Sequence, residues 1–192
     1  MKTLRGLIDL DDDHKILQNL VALNADTSDC VVPLVSIALL LNAKHILELG
    51  VRTGISTRAL LVVCRKLNGT LISFDIDPCQ EACQKIMELG LQDRWQFLQC
   101  DDKELLEVIK PRSIDLIFLD TDHDLSHTVI ELGLCDKVLK KGGVILVHDT
   151  LAPAYADINK AIAQFMEKHK KTYRFYELGT RYGLSMLVKK AS

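Results

Sequence analysis

The chain has little that marks a specialised class. Its 192 residues contain no excess of base: the formal net charge is −2, so there is no electrostatic footprint for nucleic acid. The pairs Lys140–Lys141 and Lys170–Lys171 read as solvated helix ends rather than a phosphate track. No two of the six cysteines form a CxxC pair, which removes the usual zinc and redox spacings and leaves reduced, mostly buried thiols in a cytoplasmic protein. No apolar run is long enough to span a bilayer: Val31 to Leu41 falls short of the ~20 residues needed. The opening MKTLRGLIDLDDDHK lacks the pattern of a signal peptide. There are no repeats, no low-complexity tract and no Pro/Gly-rich linker, so one domain over 1–192 is expected, with 1–44 as a helical cap and 45–192 as the core.

What is present is a change of period. Residues 14–25 and 29–43 carry apolar residues at helical spacing, with Asp29 as the expected cap of the second helix. From residue 45 onward, short apolar strands alternate with helices. HILELG, TLISFDID, WQFLQCD, SIDLIFLD and GGVILVHD are the strands, and STRALLVVCRKL, PCQEACQKIMELG, KELLEVI and SHTVIELGLCDKVL lie between them. Such alternation predicts βαβ units, hence an α/β fold: a Rossmann-like, doubly wound, mostly parallel sheet with helices on both faces. After helix 157–171, YRFYELG and GLSMLVKK are too close for a crossover helix. They should form an antiparallel hairpin near one edge and bring the sheet to seven strands.

Ligands in such sheets sit outside the carboxyl ends of the strands, so the strand exits are the places to look for chemistry. The first exit has Glu48, then Gly50 and Gly54 around a tight turn holding Arg52. The spacing is not the G-x-G-x-x-G of dinucleotide binders, which disfavours a NAD-binding protein. Asp75 ends the second strand, where an acid commonly accepts from ribose hydroxyls; Asp77 before Pro78 reads as a helix cap. Of Asp101 and Asp102 at the third exit, one suits an adenine amino group and the other a cap. The fourth exit, FLDTDHDLSH, concentrates Asp120, Asp122, His123, Asp124 and His127; the fifth ends in His148, Asp149 and Thr150. If the fourth and fifth strands are parallel neighbours, ~4.8 Å apart, Asp120 and Asp149 point into one volume and need a cation or a shared proton.

ELGVRTGIST, LISFDID, CDD and IDLIFLD, in this order and spacing, resemble the motifs of class I S-adenosylmethionine-dependent methyltransferases. The likeness is greatest to small-molecule O-methyltransferases of the catechol and caffeoyl-CoA type and their bacterial relatives, over about residues 27–190. It implies S-adenosylmethionine as cofactor, a small hydroxylated acceptor and, as a family expectation, a homodimer. Glu48, Gly50 and Gly54 would shape the methionine and ribose pocket, with Asp120 at its edge. Ser56 would hold the methionine carboxylate at a helix N-terminus, Asp75 the ribose, and Asp101 would face the adenine. A divalent metal, Mg²⁺ or Mn²⁺, would be held by Asp120 and Asp149. Thr150 stands where the catechol type has asparagine. His148 either supplies a further ligand, favouring a transition metal, or bonds to neighbouring backbone. For the base, His123 and Asp122 compete; a histidine, with an unperturbed pKa of ~6.5, suits proton transfer near neutral pH. Arg52 either reaches a carboxylate or points to solvent. Asp124 or Ser126 should cap the helix that follows, with His127 at its entry. A metal-independent methyltransferase of the same fold, or a non-catalytic module, are the alternatives.

Overall fold

The computed structural model describes residues 12–191. The strands are β1 (His45–Leu49), β2 (Thr70–Asp75), β3 (Trp95–Gln99), β4 (Ile114–Leu119), β5 (Leu139–His148), β6 (Tyr173–Leu178) and β7 (Leu184–Lys189). They form one sheet of order β3-β2-β1-β4-β5-β7-β6. The first five are parallel; β7 lies antiparallel between β5 and β6, so the expected hairpin is present. The switch in strand order falls between β1 and β4, and both exits there carry the glycine and aspartate chemistry read from the sequence.

Helices α1 (Asp12–Ala22), α2 (Val31–Leu40), α3 (Ile55–Leu67) and α4 (Gln80–Glu88) cover one face; α5 (Leu105–Val108), α6 (Leu125–Val138) and α7 (Ala156–His169) cover the other. The split follows from the two-residue period of a strand. Ile46, Leu116, Phe118, Val144 and Leu146 pack under α1–α4, whereas Leu47, Ile117, Leu119, Ile145 and Val147 pack under α5–α7. Strands buried on both sides read as continuous apolar runs, which is why β4 and β5 stand out in the sequence. In α1, Leu20 is core, while Val21 and, just past the helix, Leu23 stay half exposed. All six cysteines are free, and no helix among the described residues is long and apolar enough to cross a membrane. The signal-peptide reading and the first part of the cap, residues 1–11, lie outside the described residues.

Two expected caps are corrected. Asp29 does not cap α2. It sits in a 3₁₀ turn, Asp26–Cys30, and its Oδ2 instead accepts from the backbone N–H groups of Arg181 and Tyr182 in the β6–β7 turn. Asp77 does not cap α4 either. Its N–H donates to Asp75 Oδ1, 2.9 Å, and the chain passes through Cys79 at φ 42° before the helix begins at Gln80. Pro78 therefore precedes the helix rather than starting it.

Candidate functional site

The carboxyl ends of β1 to β4 open on a cavity of about 470 Å³. Gly50, Asp75, Asp101, Asp102, Asp120 and Asp122 all reach it, so the acids predicted at successive exits share one wall. Gly50 makes this possible. At φ +91° its missing side chain leaves room for the Asp120 carbonyl, which a Cβ would meet at 2.0 Å, and β1 and β4 can close on each other. Gly54, also at positive φ, starts α3 against Ala82 with no side-chain cap on the helix N-terminus.

The glycine turn is held from beneath. Asp75 Oδ2 accepts from the N–H groups of Val51 and Arg52 at 2.8 and 3.1 Å. Burial would push the Asp75 carboxyl up, but the backbone N–H groups of Asp77, Val51 and Arg52 outweigh it and hold its pKa below the usual value. The Cys79 side chain also hydrogen-bonds the carboxylate, which still lines the cavity. Arg52 reaches a carboxylate: its guanidinium pairs with Asp26 at 2.8 Å and ties the 3₁₀ turn over the rim. Asp101 caps its own turn, accepting from Lys103 N–H, and still lines the cavity.

Glu48, Gly54 and Ser56 do not line the cavity. Glu48 is 0% exposed and accepts from Ser56 Oγ and Ser73 Oγ, both at 2.7 Å; Trp95 donates onward to Ser73. This chain joins β1, α3, β2 and β3 beneath the turn. Burial raises the Glu48 pKa to about 7 from the ordinary 4.5. Between those values the folded state holds a proton that the unfolded chain has released, so stability should fall as pH rises through the window and level off above it. One group with that shift is worth about 3 kcal/mol. Thermal denaturation of Glu48→Gln should show a shallower decline between pH 4.5 and 7 than the wild type; an unchanged slope would assign Glu48 no part in it.

At the next two exits the side chains converge. Leu119 pairs with Val147, so Asp120 and His148 follow side by side on one face. Asp149 would ordinarily point the other way. Its φ of 61°, a left-handed conformation that aspartate tolerates better than most residues, turns it back. The result is a buried group of Asp120, His148 and Asp149. His148 Nδ1 lies 3.3 Å from Asp120 Oδ1 and 3.3 Å from Asp149 Oδ1. Charge-assisted hydrogen bonds are shorter, about 2.7–2.9 Å. Donors around an ion at ~2.0 Å in a tetrahedral shell are ~3.3 Å apart. The donor set and spacing therefore fit a divalent ion. Burial would lower the His148 pKa, but Asp120 first and then Asp149 and Asp29 hold it above the ordinary value. Thr150 turns away and donates to Glu177 on β6.

His123 comes to the same group from the β4–α6 loop. Its Nε2 is 3.0 Å from Asp149 Oδ2, and its ring stacks on Tyr155 with centroids 3.7 Å apart. Asp122 is exposed at the cavity, with no side-chain hydrogen bond among the described residues. Asp124, not Ser126, caps α6, accepting from the N–H groups of Ser126 and His127. His127 does more than enter the helix: it lies between Asp102 and Glu131. Sequence reasoning passed over Glu131, Tyr155 and the inward role of Asp29. Only Glu131 left a signal, four residues after His127 on one helix face.

The sequence and the fold have counterparts. The chain is 33% identical over 118 residues to the O-methyltransferase hkm8 of Aspergillus hancockii, covering 60% of this chain and 46% of that protein. It is 30% identical over 156 residues to the catechol O-methyltransferase B of Danio rerio, covering 76% of this chain and 56% of that one. This chain thus spans about half the length of the curated relatives it matches. A solved O-methyltransferase of Bacillus cereus, in complex with SAH, superposes with a TM-score of 0.69 at 21% identity, over 97% of this chain and 96% of the other. Residues 47–150, from the middle of β1 to just past Asp149, match the family model described as a methyltransferase domain. They contain the glycine turn and the acids of all five parallel strand exits, and by that match this chain belongs to the methyltransferase-domain family.

Proposed function

We propose that the protein is an S-adenosylmethionine-dependent O-methyltransferase that methylates a hydroxyl of a small molecule with the help of a divalent ion. The observation that carries this reading is the convergence of Asp120, His148 and Asp149 beside the cavity at the switch between β1 and β4. When bound, S-adenosylmethionine supplies an electrophilic methyl group. The ion, held by Asp120, Asp149 and His148, would lower the pKa of the acceptor hydroxyl. His148 takes the ligand position that Thr150 leaves, and a nitrogen ligand shifts preference from Mg²⁺ toward Mn²⁺ or another transition metal.

The chain's own residues do the rest. Gly50 lets β1 and β4 close on each other at the cavity wall, and Gly54 sets the start of α3 against Ala82. Asp75, on the cavity wall, is the acceptor for a ribose hydroxyl, and Asp101 faces the adenine end. The N–H groups at the start of α3, around Ser56, favour the methionine carboxylate. Glu48 acts on the pocket through the turn it supports. With Nε2 donating to Asp149, His123 keeps Nδ1 as the acceptor for the hydroxyl proton, and Tyr155 fixes the ring plane. Asp122 is the weaker base because nothing orients it. The His123–Asp149 contact also supports a second reading, in which Asp149 orients the base and no metal takes part.

A methyl-transfer assay separates the two. S-adenosylhomocysteine release, measured over a panel of catechols and hydroxycinnamoyl thioesters, should fall on chelation with EDTA and return with Mn²⁺ or Mg²⁺. Release that is indifferent to EDTA would support the metal-free reading.

A further inference from the structure

The cavity has a second cluster that the methyl-transfer chemistry leaves unused. Asp102 follows β3, while His127 and Glu131 lie four residues apart on one face of α6. Asp102 and Glu131 are buried, at 7% and 0% exposure. One donor atom from each of the three side chains lies within 4.8 Å of the others. His127 Nε2 is 3.3 Å from Asp102 Oδ2 and 3.4 Å from Glu131 Oε1. Thr121 donates to Glu131 from outside the group, in the manner of a residue that orients a ligand.

Hydrogen bonding alone accounts poorly for this arrangement. A single imidazole N–H cannot satisfy two carboxylates at 3.3 and 3.4 Å, both beyond charge-assisted hydrogen-bond length. Asp102 Oδ1 and Glu131 Oε2 are buried and accept from no N–H or O–H donor of another described residue, so between the two carboxyl groups the choice is a shared proton or a cation. Buried oxygens without partners cost about 1–3 kcal/mol each, more when charged. Two buried carboxylates beside each other need a proton or a cation. The separations, as at the Asp120 group, are those of donors sharing an ion at ~2.0–2.1 Å.

We propose that Asp102, His127 and Glu131 form a second divalent-metal site, distinct from Asp120, His148 and Asp149. One imidazole and two carboxylates, all largely withdrawn from water, suit Zn²⁺, Mn²⁺ or Co²⁺ better than Mg²⁺, which retains several waters. The ion would join the exit of β3 to the first turns of α6. Asp102, Thr121 and His127 line the cavity there, so the site would stiffen one of its walls.

The probe is Zn²⁺ itself, counted by equilibrium dialysis against the full chain at micromolar free ion. The wild type should hold one more equivalent than Glu131→Gln and one more than His127→Gln. Equal counts in all three would overturn the proposal and leave a proton shared among the three side chains. Asp149→Ala reports on the other site. If that reading fails, its count matches the wild type while Glu131→Gln still falls by one. Should both α6 variants lose the fold by circular dichroism, crystals of the wild-type chain soaked in Zn²⁺ decide by zinc-edge anomalous scattering. A peak between Asp102, His127 and Glu131 supports the site; no peak there overturns it.

Discussion

Replacing Asp149 by alanine should lower metal-supported turnover by about 100-fold or more while S-adenosylhomocysteine still binds. Even residues that only orient metal ligands cost 10–100-fold when removed, so a direct ligand sets the upper end of that range. Asp149 is 4% exposed and faces both His148 and His123. Its loss removes one proposed ligand and frees the proposed base. It lies outside the lining of the 470 Å³ cavity, which is why cofactor affinity should survive. Alanine is also less at ease than aspartate at φ 61°, at a cost of roughly 1–2 kcal/mol. Asp149→Asn tolerates the left-handed backbone and removes only the charge, so it should share the activity loss with less effect on the melting temperature. Turnover kept within a few-fold in Asp149→Asn would mean that the carboxylate neither holds a metal nor orients His123.

His123→Gln should lower kcat by about 10²–10⁴-fold, the usual contribution of a positioned general base. Glutamine retains a polar group near Asp149 but cannot take the proton. The remaining activity should rise steeply with pH, because hydroxide or the already ionised hydroxyl must replace the missing base. Asp122→Asn should stay within a few-fold of the wild type, since the Asp122 carboxylate is exposed and unanchored. The reverse ranking, with Asp122→Asn the more damaging, would move the proton to Asp122 and leave His123 as an Asp149-bound support.

Much of the fold was legible because its signals are local. The short apolar runs of β1 to β5, the intervening helical runs and the short link between the last two strands determine the order of elements. That β4 and β5 are parallel neighbours could be assumed from the sequence, and the sheet order bears it out, but bringing Asp149 onto the face of Asp120 also takes its left-handed φ of 61°, which the sequence does not announce. What escaped depends on single backbone angles or on distant partners. Cys79 at φ 42° displaces the start of α4, and nothing around Pro78 announces it. Asp29 looks like a cap by composition, yet the turn it holds lies more than 150 residues away at Arg181. Ser56 looks like a ligand-binding hydroxyl at a helix start, but buried Glu48 competes for it and takes it. A polar group that can satisfy a buried carboxylate is drawn inward, and local reading does not see the carboxylate's need.

The most direct test of the account is calorimetry of S-adenosylhomocysteine binding to the full chain, with and without Mn²⁺, in wild type and Asp149→Ala. The account predicts binding in both proteins, and in the wild type one more equivalent of bound Mn²⁺ than in Asp149→Ala. Failure of the wild type to bind S-adenosylhomocysteine under every condition would contradict it.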